Sequence, residues 1–223
     1  MPVRASHNRP LLLGHRGSRA VRYIPENTIQ SFERALADGC DGFEFDVRLT
    51  ADGEAVVCHD PRVGGIKIAQ ASGAQLPELS RLEEVLARVQ ARAFLDIELK
   101  VGGLERITLE LLRRHPPKCG YVVSSFLEGV LRTLHSQDST VPVGLICETV
   151  EEFDVWRNVP GEYVIPHHGL LNAGRSTELK SAGKKIIAWT VNDRKEMLRC
   201  QDLGVEGIIS DDAALLSRTF SGG

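Results

Sequence analysis

Several things the chain lacks narrow its function at the outset. No apolar run approaches the ~20 residues of a membrane span. The longest apolar piece near the N-terminus, Leu11–Leu13, is too short for the core of a secretory signal. These absences point to a cytosolic protein with no stable membrane insertion. The five cysteines, Cys40, Cys58, Cys119, Cys147 and Cys200, are odd in number, scattered and without a C-x-x-C pair. That argues against a disulfide framework or a thiolate zinc site and reads as reduced core thiols. A net charge of −3 lacks the positive excess of a nucleic-acid-binding surface. The patterns G-x-G-x-x-G, G-x-x-x-x-G-K-[ST], G-x-S-x-G and H-E-x-x-H are missing, and with them the usual nucleotide, serine-hydrolase and zincin signals.

What is present begins with Gly42–Asp60, GFEFDVRLTADGEAVVCHD. From Phe43 to Leu49 the residues alternate: Phe43, Phe45, Val47 and Leu49 fall on one strand face, and Glu44, Asp46 and Arg48 on the other. Same-face neighbours lie roughly 6.6 Å apart. Two carboxylates at that spacing against apolar surroundings repel, so something positive should lie between them, and a hard metal ion fits best. The pattern returns at Leu95–Lys100, where Asp96, Glu98 and Lys100 share the polar face. A pair of amphipathic surface strands laced by Arg48 and Lys100 is the plainer alternative.

The chain of 223 residues suits one large α/β domain or two small ones. In order, strands are expected at Leu11–His15, Phe43–Leu49, Phe94–Leu99, Tyr121–Ser125, Val143–Cys147, Tyr163–Pro166, Lys185–Val191 and Gly207–Ser210. Helices are expected from Ile29 to a stop at Gly39, and at Leu82–Gln90, Leu104–His115, Leu127–Ser136, Val150–Arg157, Arg175–Ala182, Asp193–Leu203 and Ala213–Arg218. The Ala51-Asp52-Gly53 turn feeds a further extended run, Ala55–Cys58, and Pro61–Ser80 reads as a loop or small insertion. Eight strands, each followed by a helical segment, predict an α/β fold, a (β/α)8 TIM barrel spanning residues 1–223 as one catalytic domain with a short insertion at about 60–80. A doubly wound open sheet is the alternative.

In a barrel the chemistry gathers at the carboxyl ends of the strands. There the sequence places His15 and Arg16, Glu44 and Asp46, Glu98 and Lys100, Ser124-Ser125-Phe126, His167-His168, Trp189 with Asn192, and Asp211, with His59-Asp60 just past the second strand's hairpin. Glu44, Asp46 and Glu98 offer only oxygen ligands, suited to Mg2+ or Ca2+. A cation there, beside Arg16 and Lys100, makes a socket for a phosphate group. His15 and His59 can divide the work of general base and general acid, and Trp189 offers a flat wall for the organic part of a substrate. Each also has a structural reading: Asn27-Thr28 as a helix start, Asp211 as a cap of the last helix, Trp189 as core and His167-His168 as a rim contact.

Together, His15-Arg16-Gly17, Pro25-Glu26-Asn27-Thr28, Glu44-x-Asp46, Thr50-x-Asp52-Gly53, His59-Asp60, Glu98-x-Lys100, Trp189-Thr190-Val191-Asn192 and Gly207-Ile208-Ile209-Ser210-Asp211 resemble, in order, the motifs of glycerophosphodiester phosphodiesterases, over residues 11–215. The resemblance implies a TIM barrel that hydrolyses a small-molecule glycerophosphodiester to sn-glycerol 3-phosphate and an alcohol with Mg2+ or Ca2+. By position, Glu44, Asp46 and Glu98 would hold the metal, and His15 and His59 would act as base and acid. Arg16, Lys100 and Trp189 would meet the substrate, with Glu26, Asn27, Asn192 and Asp211 in support. Lysophospholipase D-like or cyclising action on lipid head groups is the alternative on the same barrel. The segment after His59-Asp60 lacks the family's usual Thr-rich stretch, which bears on the choice of alcohol; the oligomeric state stays open.

Overall fold

The computed structural model describes residues 9–89 and 91–221. Eight parallel strands close on themselves: β1 (Leu11–His15), β2 (Gly42–Leu49), β6 (Phe94–Leu99), β7 (Tyr121–Ser125), β8 (Val143–Cys147), β9 (Tyr163–Pro166), β10 (Lys185–Ala188) and β11 (Gly207–Ser210), the last pairing back onto β1. The intervening β3 (Ala55–Val57) runs antiparallel to the far end of β2, and β4 (Arg62–Val63) and β5 (Ile66–Lys67) form a separate small hairpin. Helices α1 (Ile29–Ala37), α2 (Leu82–Val89), α3 (Glu105–Arg114), α4 (Glu128–Gln137), α5 (Val150–Asp154), α6 (Ala173–Ser181), α7 (Arg194–Asp202) and α8 (Ala213–Phe220) follow the barrel strands in turn. This is the expected TIM barrel, and the open-sheet alternative falls with the β1–β2 and β1–β11 pairings that close it.

The alternation of β2 sorts its side chains as the period of two requires. Phe43, Phe45 and Val47 point outward into the helix-facing core with Phe32 of α1, and the Phe32 and Phe43 rings stack at 4.3 Å and 3°. α1 reaches that contact because Ile29, Phe32, Ala35 and Leu36 form one helical stripe. Thr28, extended at φ −121°, starts it by accepting the Ser31 N–H. The other face of β2 points into the lumen. There the register sets His15 beside Glu44, Glu44 beside Asp96 and Asp46 beside Glu98. On the far side the lumen is filled by Leu13, Val122, Ile146, Ile165, Ile187 and Ile209. The close approach of β2 to β6 requires Gly42, since a Cβ there would lie 1.9 Å from the Phe94 carbonyl oxygen.

Some expectations change. The segment after Asp60 is not featureless: it holds the β4–β5 hairpin, two 3-10 turns (Ile68–Gln70 and Gly73–Gln75) and an apolar cluster of Val56, Ile68, Ala71 and Leu76. Its contacts are between few residues, so no helical or strand period marks it. The helix expected over Val150–Arg157 stops at Asp154 and tightens into a 3-10 turn, Val155–Asn158, and β10 ends at Ala188 rather than Val191. All five cysteines are free. Burial pushes the thiols of Cys40 and Cys147 up to about 12 and that of Cys200 to about 11, which makes them inert core residues. Cys58 is only half-buried and Cys119 is exposed, so the core reading fails for those two. Gln90, the expected last residue of α2, lies outside the described residues. Among those residues no helix is long and apolar enough to cross a membrane.

Candidate active site

At the carboxyl end of the barrel, Glu44, Asp46 and Glu98 each turn an oxygen to one point, the three atoms lying within 4.8 Å of one another. All three residues are buried, and Glu44 Oε1, Asp46 Oδ1 and Glu98 Oε1 have no hydrogen-bond donor. Orphaned buried carboxylate oxygens of this kind are costly. Burial, and then the charge of Asp46, drives the Glu44 carboxyl well above the usual carboxylate range and that of Glu98 up to about 7, against the pull of Lys100. Burial would raise Asp46 as well, but Lys100, Arg16 and the Asn27 amide outweigh it and hold Asp46 below that range. Lys100 Nζ is 2.6 Å from Glu98 Oε1 and 3.4 Å from Asp46 Oδ1. The 2.6 Å contact gives the Glu98 oxygen a charge partner, whereas Glu44 Oε1 has neither a hydrogen-bond donor nor an ion pair. A buried all-oxygen set with one ligand atom from each residue inside 4.8 Å, poorly supplied with hydrogen-bond donors, fits a hard divalent cation. The alternative of two solvated surface strands is excluded by the burial of both acid pairs.

The loop from β1 to α1 holds this cluster from beneath. Arg16 and Asn27 adopt left-handed backbones, φ 50° and 57°, which side chains other than glycine rarely take. They are tied together, Asn27 N–H donating to the Arg16 carbonyl at 3.1 Å, and the Ser31 hydroxyl donates to the same oxygen. That conformation aims the Arg16 backbone N–H at Glu44 Oε2 (3.0 Å) and the Asn27 amide at Asp46 Oδ2 (2.8 Å). Arg16 Nε lies 3.2 Å from Asp46 Oδ2, and Arg16 Nη1 donates to Glu26 Oε1 at 2.7 Å. Glu26 also accepts from Arg19 Nε. Glu26 thus aligns Arg16 rather than touching the cluster, while Asn27 touches it directly. Thr28 caps the helix as the plainer reading held, and Asn27 in the same motif bonds Asp46.

His15 lies beside the cluster with Nε2 3.8 Å from Glu44 Oε2, and its Nδ1 sits 2.6 Å from Asp211 Oδ1. Asp211 is in turn held by Asn192 Nδ2 (2.7 Å) and Arg19 Nη1 (3.2 Å). Burial alone would raise the Asp211 carboxyl, but the bond to His15 overrides it and holds it well below the carboxylate range. The reading of Asp211 as the last helix's cap is wrong: Asp212 caps α8, accepting the Leu215 N–H at 2.8 Å. His59 Nδ1 lies 2.8 Å from Asp60 Oδ1, and Arg48 Nε donates to the His59 carbonyl at 2.7 Å, anchoring the segment that carries the ring.

One cavity of about 270 Å³ brings His15, His59, Arg16, Glu44, Glu98 and Lys100 together. Its opposite wall is Phe126, Ile146, Ile165, Ile209 and Trp189, with Glu148 at its edge. The Trp189 indole N–H is committed to the Ile165 carbonyl (3.0 Å), and the Phe126 ring meets it edge-on at 5.7 Å, so what Trp189 offers the cavity is apolar surface. His167 and His168 stay outside this lining, as the rim-contact reading has it: His167 Nδ1 accepts the Gly169 N–H, and His168 faces Glu196 at 3.5 Å. Sequence reasoning placed Asp96 and Arg48 on the polar strand faces without giving either a part in the site, and passed over Glu148. Asp96, sealed in the lumen, bonded by the Ser124 hydroxyl and pushed up to about 7 by burial, carries the same alternation that marks Glu98. Arg48 shares the face of Glu44 and Asp46. Glu148 carries no local signal, since only the closure of the barrel brings β8 across from β1.

The model of the Glycerophosphoryl diester phosphodiesterase family matches residues 15–101 and 118–215. A glycerophosphodiester phosphodiesterase of Caldanaerobacter subterraneus is 30% identical over 237 residues, covering 92% of this chain and 96% of that protein. The glycerophosphodiester phosphodiesterase of Thermotoga maritima, a solved structure, is 26% identical with a TM-score of 0.79, covering 94% of this chain and 98% of that one. An Oleispira antarctica phosphodiesterase, solved with its product sn-glycerol-3-phosphate, shares the fold at a TM-score of 0.84 and 23% identity, covering 96% and 98%. With its barrel closed, its motifs gathered at one rim and the family's pattern running nearly from end to end, the chain is an enzyme that belongs to the glycerophosphodiester phosphodiesterase family.

Proposed function

We propose that this chain hydrolyses glycerophosphodiesters to sn-glycerol 3-phosphate and an alcohol, with one divalent cation, Mg2+ or Ca2+, held by Glu44, Asp46 and Glu98, and with His15 and His59 as the proton-transfer pair. The observation that carries this reading is a buried cluster of three carboxylates, two of which, Glu44 and Glu98, line one cavity together with two carboxylate-braced imidazoles. When bound, the cation supplies charge neutralisation and polarisation at a phosphoryl oxygen. The rest is work for the chain's own side chains. Arg16 and Lys100, at the same cavity, bring positive charge to the phosphate. Trp189 and the isoleucine wall exclude water around the organic groups.

Asp211 accepts from His15 Nδ1, which leaves the Nε2 lone pair free on the cavity side as the base. In the first half-reaction, Nε2 takes the proton of the glycerol 2-hydroxyl while that oxygen bonds to phosphorus. The bond from phosphorus to the alcohol oxygen breaks, and His59 gives that oxygen its proton. The neighbouring hydroxyl is already tethered to the phosphate, so little entropy is lost on attack. In the second half, His59 takes a proton from water as its oxygen bonds to phosphorus. The ring bond to the glycerol oxygen breaks, and His15 returns its proton there. A lipid-headgroup substrate calls for an apolar lip beside Trp189; Phe126, which meets the Trp189 ring, is half-buried, and of its two chain neighbours only Leu127 is an exposed apolar residue, which favours the water-soluble diester. The test is release of glycerol 3-phosphate from glycerophosphocholine, glycerophosphoethanolamine and glycerophosphoglycerol, with and without chelator. Release that chelator abolishes and added Mg2+ or Ca2+ restores is expected; release indifferent to chelator would remove the cation from the account.

A further inference from the structure

Of the carboxylates lining the cavity, Glu44 and Glu98 belong to the buried cluster and Asp96 is bonded by Ser124 and sealed in the lumen. Glu148 is of another kind. It follows β8 directly, is exposed, and lines the cavity together with Ile146 of the same strand. Its backbone is fixed, because its N–H donates to Glu152 Oε2 at 2.8 Å within the capping box that opens α5. No side chain among the described residues pairs with its carboxylate. In the same lining stand two aromatic rings, Phe126 and Trp189; Lys100 Nζ lies 5.7 Å from the Phe126 centroid, and the polar edge of Trp189 is bonded to the Ile165 carbonyl, which leaves the Trp189 ring as the aromatic surface not already facing a cation. A free carboxylate joined to aromatic surface is the environment that binds an organic ammonium, by charge and by cation–π attraction together.

The glycerol phosphate half of a glycerophosphodiester carries no cation. An ammonium site in this cavity can therefore read only the departing alcohol. We propose that Glu148, with Trp189 in the same cavity lining, selects diesters whose alcohol bears an ammonium group, choline or ethanolamine, over those with a neutral alcohol. This rests on the phosphodiesterase reading above and adds to it the chemical class of the leaving group. The competing use of the same carboxylate, accepting hydrogen bonds from the glycerol hydroxyls, would act on every substrate alike, and that difference makes the two separable.

The experiment measures kcat/KM for glycerophosphocholine, glycerophosphoethanolamine and glycerophosphoglycerol with saturating Mg2+, in the wild-type chain and in Glu148→Gln and Glu148→Lys. Glu148 is exposed, so both variants should melt with the wild-type protein, which is checked first. The expected result is a wild-type preference for the two ammonium diesters. The choline-to-glycerol ratio then falls about five-fold in Glu148→Gln, the scale of one exposed charge pair, and further in Glu148→Lys. Raising the salt from 0.05 to about 0.5 M shrinks the wild-type ratio toward that of Glu148→Gln. An unchanged ratio in both variants overturns the proposal, and so does an equal loss on all three substrates, which would assign the carboxylate to glycerol. A wild-type chain that turns over none of the three overturns the phosphodiesterase reading itself, and this proposal with it.

Discussion

Asp211 and His15 meet at 2.6 Å, and two consequences follow at the scale of these single residues. The first is catalytic. Asp211→Asn keeps the shape but offers His15 an amide in place of a carboxylate, so the ring loses the bond that fixes its tautomer; kcat should fall by about 10²-fold or more with little change in KM. The second is a pH dependence of stability. The Asp211 carboxyl is held below its unfolded value, so its contribution is present above about pH 4 and disappears as pH falls through the folded value. The stability gap between wild type and Asp211→Asn, about 1 kcal/mol at pH 7 by urea unfolding, should therefore begin to narrow below about pH 4 and go on narrowing as the pH falls toward the folded value. A gap that widened in acid would contradict the pairing. His59 is braced differently, by the exposed Asp60 and by Arg48 through its own carbonyl. His59→Ala should cut turnover by 10² to 10⁴-fold while leaving the melting temperature within a few degrees; near-normal turnover would remove the acid from the scheme.

Between residue and molecule stands the loop that joins β1 to α1. It carries two left-handed residues in sequence motifs that look like a turn and a helix start, and its geometry, more than its charge, sets the carboxylates. Gly17 makes the turn possible: at φ 84°, an added Cβ would come within 2.3 Å of the Ser31 hydroxyl and 2.5 Å of the Ser31 carbonyl carbon. Gly17→Ala should cost about 2 kcal/mol in urea unfolding and, because the Arg16 N–H that holds Glu44 rides on this turn, should also weaken divalent-ion binding. Loss of stability without loss of ion affinity would separate the turn from the site. The elements themselves were legible where a period dominated: the alternation at Phe43–Leu49 and Phe94–Leu99 and the apolar stripe of α1 read correctly to within a residue or two. Where contacts are made by a few side chains between loops, as in the segment from Arg62 to Gln75, no period exists to read. β10 ends earlier than its apolar run because the chain beyond Ala188 turns to place Trp189 and Asn192 at the rim.

Across the whole molecule the lumen is divided by polarity. The strands β1, β2 and β6 bring acids, imidazole and cations, and β8, β9, β10 and β11 bring an isoleucine wall, so a charged phosphate and an organic arm find opposite sides of one cavity. Closure alone creates this division, which is why the polar half, written as alternation within single strands, was readable in the sequence, and Glu148, meaningful only across the barrel, was not. The division also gathers the carboxyl groups of Glu44, Asp46 and Glu98 in one buried place, where three of their oxygens accept no hydrogen bond. The most direct test of that centre is calorimetric titration of the metal-free chain with Mg2+ and with Ca2+, alongside Glu44→Gln and Glu98→Gln. The wild type should take up one ion per chain and gain thermal stability on doing so, by about 2.7 kcal/mol at a hundred-fold excess over Kd, with both effects lost in either variant. Undiminished binding in both variants, or no binding by the wild type, would contradict the shared cation on which the account stands.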